Sequence, residues 1–363
     1  MLAAAPALRA STSAPSAPVA IARCSSYDAG VITAMSTMFD QLGGLPPLVR
    51  NKTVTIKLNL TGPPSDRFQG RPLGTTHYTN PHMVGALSSL LDRAGARRIR
   101  FVESCYASTG PLEDYLKESG WDVGALKSTS RRVEFENTNA IGPYKSYSRV
   151  RVPGGGLVYP AYDLNHAYED TDVFVSFAKL KNHATCGVTL SMKNIFGITP
   201  ASIYGDDAGV DEPNEHPTTA RVRTCHQGKR QPSKSSPAEL HPASNRAPGY
   251  RMPRITAELA SARPINLAIV DGVETVAGGE GPWIRGLRPM HPGVMIAGTN
   301  PVNTDTVATA VMGYNPRASR GEAPFHTCDN TLLLAESLGV GSANLSRIEV
   351  RGLPVAKALY PFG

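Results

Sequence analysis

VFVSFAKLKNHATCGVTLSMKNIFGITP, residues 173–200, opens as an apolar run with the look of a buried strand and continues into a cluster of cations. Val173, Phe174, Val175 and Phe177 read as the strand. Lys179, Lys181, His183 and Lys193 follow within fifteen residues, and after Asp172 no carboxylate occurs until Asp206. Solvated lysines normally come interspersed with acids, so this cluster is expected to face an anion. Lysine is a compact point charge suited to phosphate or carboxylate.

On both sides of this stretch, strand-like and helix-like patterns alternate. VAIARC (19–24) reads as a strand, and a helix is expected from about 29 to 42, with Val31, Ile32, Met35, Met38 and Phe39 on one face. TVTIKLNL (53–60) reads as a strand that delivers Lys57 and Asn59. Thr79 or Asn80 caps a helix opening at Pro81, and RRIRFVES (97–104) is a strand ending in Glu103. A helix near 111–119 and a hairpin-like stretch near 132–160 come next. Beyond the central stretch lie a helix in RMPRITAELASA and a strand in INLAIVDG that ends in Asp271. VMIAGTNPVNTDTVATAVMG is a strand, a turn and a helix carrying Asp305. A helix near 329–338 and the strand SRIEVRG close the series.

This order predicts an α/β fold, a mainly parallel, doubly wound sheet with helices on both faces and a long polar insertion. Ligands of such sheets bind beyond the carboxyl ends of the strands. Lys57, Asn59, Glu103 and the Lys179–His183 group all sit at such ends, which argues for one site. A single domain is expected over 19–352, between a disordered N-terminal tail (1–18) and a C-terminal tail (353–363). The proline-rich stretch 203–252 lacks an apolar period, with acids in its first half and bases, Arg221 among them, in its second. It reads as a flexible surface insertion.

Composition narrows the function classes. The 363 residues are 41% hydrophobic and 18% charged, which suits a globular protein. The net charge of +7 fits an acidic small-molecule ligand. Nucleic acid is an unlikely partner, since no basic stripe with interleaved aromatics and no finger or helix-turn-helix spacing occurs. No apolar run reaches the roughly 18 residues of a membrane span. The five cysteines are scattered without a CxxC, so no iron–sulfur cluster is expected from this chain alone.

Several residues are candidates for chemistry. Lys57, Lys179, Lys181 and Lys193 could hold the anion. His183, just past a strand end, is a candidate acid or base, with Lys181 beside it. The alternative for the lysines is pairing with Glu103, Asp271 or Asp305. Those three carboxylates are also the candidate ligands of a divalent metal such as Mg²⁺, although Asp305 near a helix start has an ordinary capping role open to it. AGGEGP is neither a dinucleotide nor a P-loop fingerprint, but Gly279 and Gly281 could let backbone amides approach an anion.

Taken together, AKLKNHATCGVTLSMKNIFGITP, VTIKLNL, Thr79–Pro81, LAIVDGVETVAGGEGP and NPVNTDTVATAVMGYNP resemble the family known as domain of unknown function 362. Its members carry a K-x-K-x-H … T … K-N-x-F-G pattern, and the resemblance spans roughly 19–352. It implies that the motif residues here are Lys57, Glu103, Lys179, Lys181, His183, Thr189, Lys193, Asn194, Asp271 and Asp305. It implies no settled activity. Some members are joined to ferredoxin-type modules and many bacterial ones look exported by a twin-arginine signal, features this sequence does not display.

The resulting expectation is a bacterial protein that binds an anionic small molecule or cofactor in a Lys/His/Asp-lined cleft, with metal-assisted catalysis as one form of its action. An enzyme is favoured, with no reaction class read from the residues. The alternative is a non-catalytic accessory or electron-transfer protein working with an iron–sulfur partner. As written the chain is expected to be cytoplasmic, or periplasmic or exported if its start lies upstream.

Overall fold

The computed structural model describes residues 14–363. Among these, eight strands form one sheet: β1 (Val19–Arg23), β2 (Thr53–Lys57), β3 (Arg98–Glu103), β4 (Val133–Asn137), β5 (Val173–Lys179), β6 (Leu267–Gly272), β7 (Val294–Gly298) and β8 (Val350–Gly352). Their lateral order is β8-β1-β7-β6-β5-β2-β3-β4. All run in one sense except β7, which pairs antiparallel with both β1 and β6. The sheet is therefore mainly parallel, as the strand–helix alternation predicts.

Strands buried on both faces carry near-continuous apolar runs, and β5 is buried at every position. Val173, Val175 and Phe177 face one layer, where Val31, Met35 and Phe39 of the helix Gly30–Gln41 pack with Met83, Leu87 and Leu91 of the helix Pro81–Arg93. Phe174 faces the opposite layer, with Met192 of the helix Leu190–Asn194 and Met252, Ile255 and Leu259 of the helix Pro248–Ala262. The helix Pro301–Val311 covers the same side further along, with Val307 and Val311 on Val270 and Ile296. Each large apolar side chain so buried contributes roughly 1.5–3 kcal/mol. The helix Pro81–Arg93 starts where its sequence signals it: Asn80 is the cap, and its side chain accepts the His82 N–H at 2.9 Å.

One feature of the strand order fixes the place of the site. From β2 the chain steps outward to β3 and β4, then returns to the other side of β2 to form β5 and β6. Connections diverge from the β2/β5 boundary, leaving a crevice above their carboxyl ends.

Four segments differ from expectation. The hairpin near 132–160 divides: β4 joins the main sheet, while Ser148–Arg151 pairs with Ala161–Leu164 as a separate antiparallel ribbon. The insertion 203–252 is tied down rather than loose. Its Arg251 is fully buried against Glu239, Arg246 reaches the same carboxylate at 2.7 Å, and its last residues already belong to the helix Pro248–Ala262. The C-terminal tail includes a helical turn, Val355–Ala358, and ends with Phe362 buried. Most of the N-terminal tail lies outside the described residues, but 14–18 are anchored: the Ala17 N–H donates to Asn303 at 2.7 Å and Pro15 accepts the Ser342 N–H at 2.9 Å. Among the described residues no helix is long and apolar enough to cross a membrane.

Candidate functional site

Above the β2/β5 boundary lies a cavity of about 460 Å³. Lys57, Asn59 and Glu103 reach it from the ends of β2 and β3, and His183, Thr189, Lys193 and Asn194 from the segment after β5. Lys179, Lys181, Asp271, Asp305, Gly279 and Gly281 are not on its wall.

Lys57 ends β2 beside β3, and its Nζ lies 2.5 Å from Glu103 Oε1, both side chains being buried. The ammonium also donates to the Leu58 carbonyl at 2.7 Å, and Glu103 accepts the N–H groups of Leu60 and Ser104, each at 3.0 Å. Burial lowers the Lys57 pKa and raises that of Glu103, while their mutual attraction opposes both shifts. Lys179 and Asp271 are register partners on β5 and β6, 2.8 Å apart and fully buried. Tyr27 Oη accepts from Lys179 at 2.9 Å and donates to Asp271 at 2.8 Å, closing the network away from the cavity. Lys179 and Asp271 thus serve one another.

Lys181 donates to the carbonyls of His77 and Glu280 at 2.7 and 2.9 Å. It is fully buried, and burial pushes its pKa well below the usual lysine range. Its ammonium ties two loops together beneath the site instead of facing into it. Asp305, buried in the helix Pro301–Val311, accepts the Ser191 N–H and hydroxyl at 2.9 and 2.6 Å and the Met192 N–H at 2.9 Å. It therefore fixes the start of the short helix that carries Lys193 and Asn194, next to Leu190 with its unusual φ of 45°.

The expected metal trio is not assembled. Asp271 and Glu103 sit on strands three places apart in the sheet, on the order of 14 Å, and each already has its own cation. Asp305 is committed to the helix start. Among the described residues no group of three or more His, Cys, Asp or Glu is placed to hold a metal ion. Gly279 and Gly281 do not form an anion nest either: a Cβ on them would run into Ile284 and Trp283, so they are glycines because those side chains fold across them.

Two cations on the cavity wall, Lys193 and Arg221, have no carboxylate ion pair among the described residues. Lys193 is buried, its Nζ stands 4.4 Å from the Phe196 ring centroid, and it has no ion pair among the described residues. Arg221 enters from the insertion and shares that ring, its guanidinium 5.2 Å from the centroid. It donates to Ser104 Oγ and the Thr199 carbonyl, both at 2.6 Å, and its Nε has no partner. Burial lowers the pKa of both groups. Nearby, Asn194 donates to Ser176 Oγ at 3.0 Å and to the Lys57 carbonyl at 3.3 Å, leaving its buried Oδ1 free, and Asn59 Oδ1 is likewise unpartnered.

Burial holds the His183 pKa well below its ordinary value, so the ring is neutral at neutral pH. Its Nδ1 accepts the Thr185 N–H at 3.1 Å, which places the proton on Nε2. Glu280 lies 3.9 Å from Nδ1. Burial raises the Glu280 pKa, but His183 in its protonated form, the Ala184 N–H and the Trp283 indole N–H together bring it down to about 2. His226, another contribution of the insertion, stands edge-on to Phe196 at 5.4 Å and is held by burial at a pKa of about 4. Sequence reasoning missed Arg221, His226 and Trp283 as cavity residues. No local pattern separates an arginine that folds back from one that points to solvent.

Comparison with known proteins adds a family. The sequence pattern described as "Domain of unknown function (DUF362)" matches residues 54–310. A curated relative, "Thylakoid-associated protein sll1697" from Synechocystis sp., is 25% identical over 187 residues, covering 51% of each chain. A crystal structure of a Thermotoga maritima protein aligns with 71% of this chain and 52% of its own, at 14% identity and a TM-score of 0.37. The chain spans about half the length of either protein.

Proposed function

The chain belongs to the DUF362 family, and from that premise we propose that the cavity above β2 and β5 binds an anionic small molecule through Lys193 and Arg221. One observation carries this reading: two cations border one cavity, share one aromatic ring and have no carboxylate partner. A buried charge is costly unless paired, and a phosphate or carboxylate supplies the missing partner. Arginine contributes a planar fork and lysine a point charge, a combination suited to either anion. The free Oδ1 of Asn194 adds a preference for a ligand that also carries a hydroxyl or amino group.

Chemistry at this site, in the same reading, falls to His183. Its neutral ring presents Nε2–H as a hydrogen-bond donor for the bound anion, while Nδ1 stays engaged by the Thr185 N–H with Glu280 3.9 Å away. Lys57 and Glu103 form the fixed floor, and Lys181 holds the loops in place.

Thermal unfolding of the purified protein with inorganic phosphate, sulfate and citrate tests the anion site. A selective rise in melting temperature is expected, abolished in Lys193→Ala and reduced in Arg221→Ala. A rise that persists unchanged in both variants places the anion elsewhere and overturns the reading.

A further inference from the structure

The cavity is far larger than a bare phosphate needs, and its mouth is apolar. Of the six large hydrophobic side chains exposed among the described residues, three line this cavity: Tyr106, Val222 and Trp283. Trp283 is 44% exposed, whereas the chain's other tryptophan, Trp121, is buried. Exposed tryptophan at a cavity rim is unusual enough to need a reason.

Trp283 is also held in place. Its ring lies across Gly62 and Gly281, where an added Cβ would collide with it, and Gly62 has the positive φ of 79° that keeps the backbone turned under the ring. The indole N–H donates to Glu280 at 3.2 Å, and His77 meets the ring edge-on at 6.0 Å. The elements that hold Trp283 also hold His183 and Lys181, since Glu280 contacts all three. An aromatic face that is exposed, immobilised and on the wall of the same cavity as Lys193 and Arg221 is a stacking platform.

We propose that Trp283 is a specificity-determining residue of this site and that the ligand is an aromatic anion. Its phosphate or carboxylate is held by Lys193 and Arg221, and its ring stacks on the indole at the mouth. This rests on the anion-site reading above and adds the class of molecule. Val222 and Tyr106 close the rim around the ring.

Binding of phenyl phosphate, butyl phosphate and inorganic phosphate to the full chain, read by calorimetry and by quenching of indole fluorescence in a Trp121→Phe background, provides the test. Phenyl phosphate is expected to bind about tenfold more tightly than inorganic phosphate, the order of an aromatic stacking contact. That advantage, read in each variant as the ratio of phenyl phosphate to inorganic phosphate affinity, is expected to vanish in Trp283→Ala and survive in Trp283→Phe. Lys193→Ala is expected to weaken all three anions. An advantage that persists in Trp283→Ala overturns the platform while leaving the anion site standing, and equal affinity for butyl and phenyl phosphate overturns the aromatic preference. Failure of every anion to bind removes the underlying reading as well.

Discussion

Lys179 Nζ lies 2.8 Å from Asp271 Oδ2, and the two residues face each other in register on neighbouring parallel strands, with both side chains fully buried. Lys57 and Glu103 likewise pair across the neighbouring strands β2 and β3, one residue out of register. Two of the four lysines at the strand ends are thus neutralised by carboxylates from the next strand. A third, Lys181, is satisfied by carbonyls, and in the proposed function the anion falls to Lys193 with Arg221.

Removing one half of the first pair should be costly. Lys179→Met leaves Asp271 buried without its cation, so a loss of about 3–5 kcal/mol is expected in urea denaturation. The double variant Lys179→Met/Asp271→Leu should recover much of that loss. A single variant as stable as the wild type would show that the pair is not what holds these strand ends.

Lys193 predicts the opposite. It is buried with no direct ion pair among the described residues, Glu280 acting on it only from a distance, and burial already depresses its pKa, so its replacement by Met should leave stability within about 1 kcal/mol of the wild type or raise it. Urea curves without added anion check this. A loss as large as that of Lys179→Met would mean that Lys193 serves the fold.

Asp305 gives a pH signature. Burial pushes its carboxyl up to about 7 from the ordinary 3.8, against the lowering effect of hydrogen bonds from Ser191 and Met192. Between those values the folded chain holds a proton that the unfolded chain has released. Its contribution is therefore full below about pH 4 and is lost as pH rises toward 7, at about 1.4 kcal/mol per unit. Asp305→Asn removes this slope, so the stability gap between wild type and variant should narrow from pH 5 to pH 7. A gap that widens would mean that Asp305 is ionised throughout.

The buried Arg251–Glu239 pair should hold the insertion to the body. In Arg251→Ala the Glu239 carboxylate keeps Arg246 but loses its tie to the helix Pro248–Ala262, and a protease should cut between residues 203 and 247 well before the sheet domain is degraded. Cleavage at the wild-type rate would place the anchoring elsewhere, in contacts such as Ser233 with the carbonyls of Gly209 and Glu212.

Much of the architecture was legible because it depends on local signals. Apolar runs such as Val173–Phe177 and the Asn80–Pro81 helix start report their own structure, and strand ends mark the side of the sheet where a site forms. Lys57, Asn59, Glu103, His183, Thr189, Lys193 and Asn194 do meet at one cavity. What local signals could not show was the reversed direction of β7, the folding of Arg221 and His226 back onto the cavity, or the anchoring of the insertion. Glu239 stands apart from the acids at the start of the insertion, and only folding brings it to Arg251 and Arg246.

The sequence by itself determined the α/β class, the family and the presence of an acid-free lysine stretch, since each is a property of neighbouring residues. Which of those lysines keep a free charge was decided only in the tertiary structure. Lys179 is neutralised by an aspartate 92 positions away, and that meeting depends on strand order and register. Lys193, on the short helix positioned by Asp305, meets no such partner.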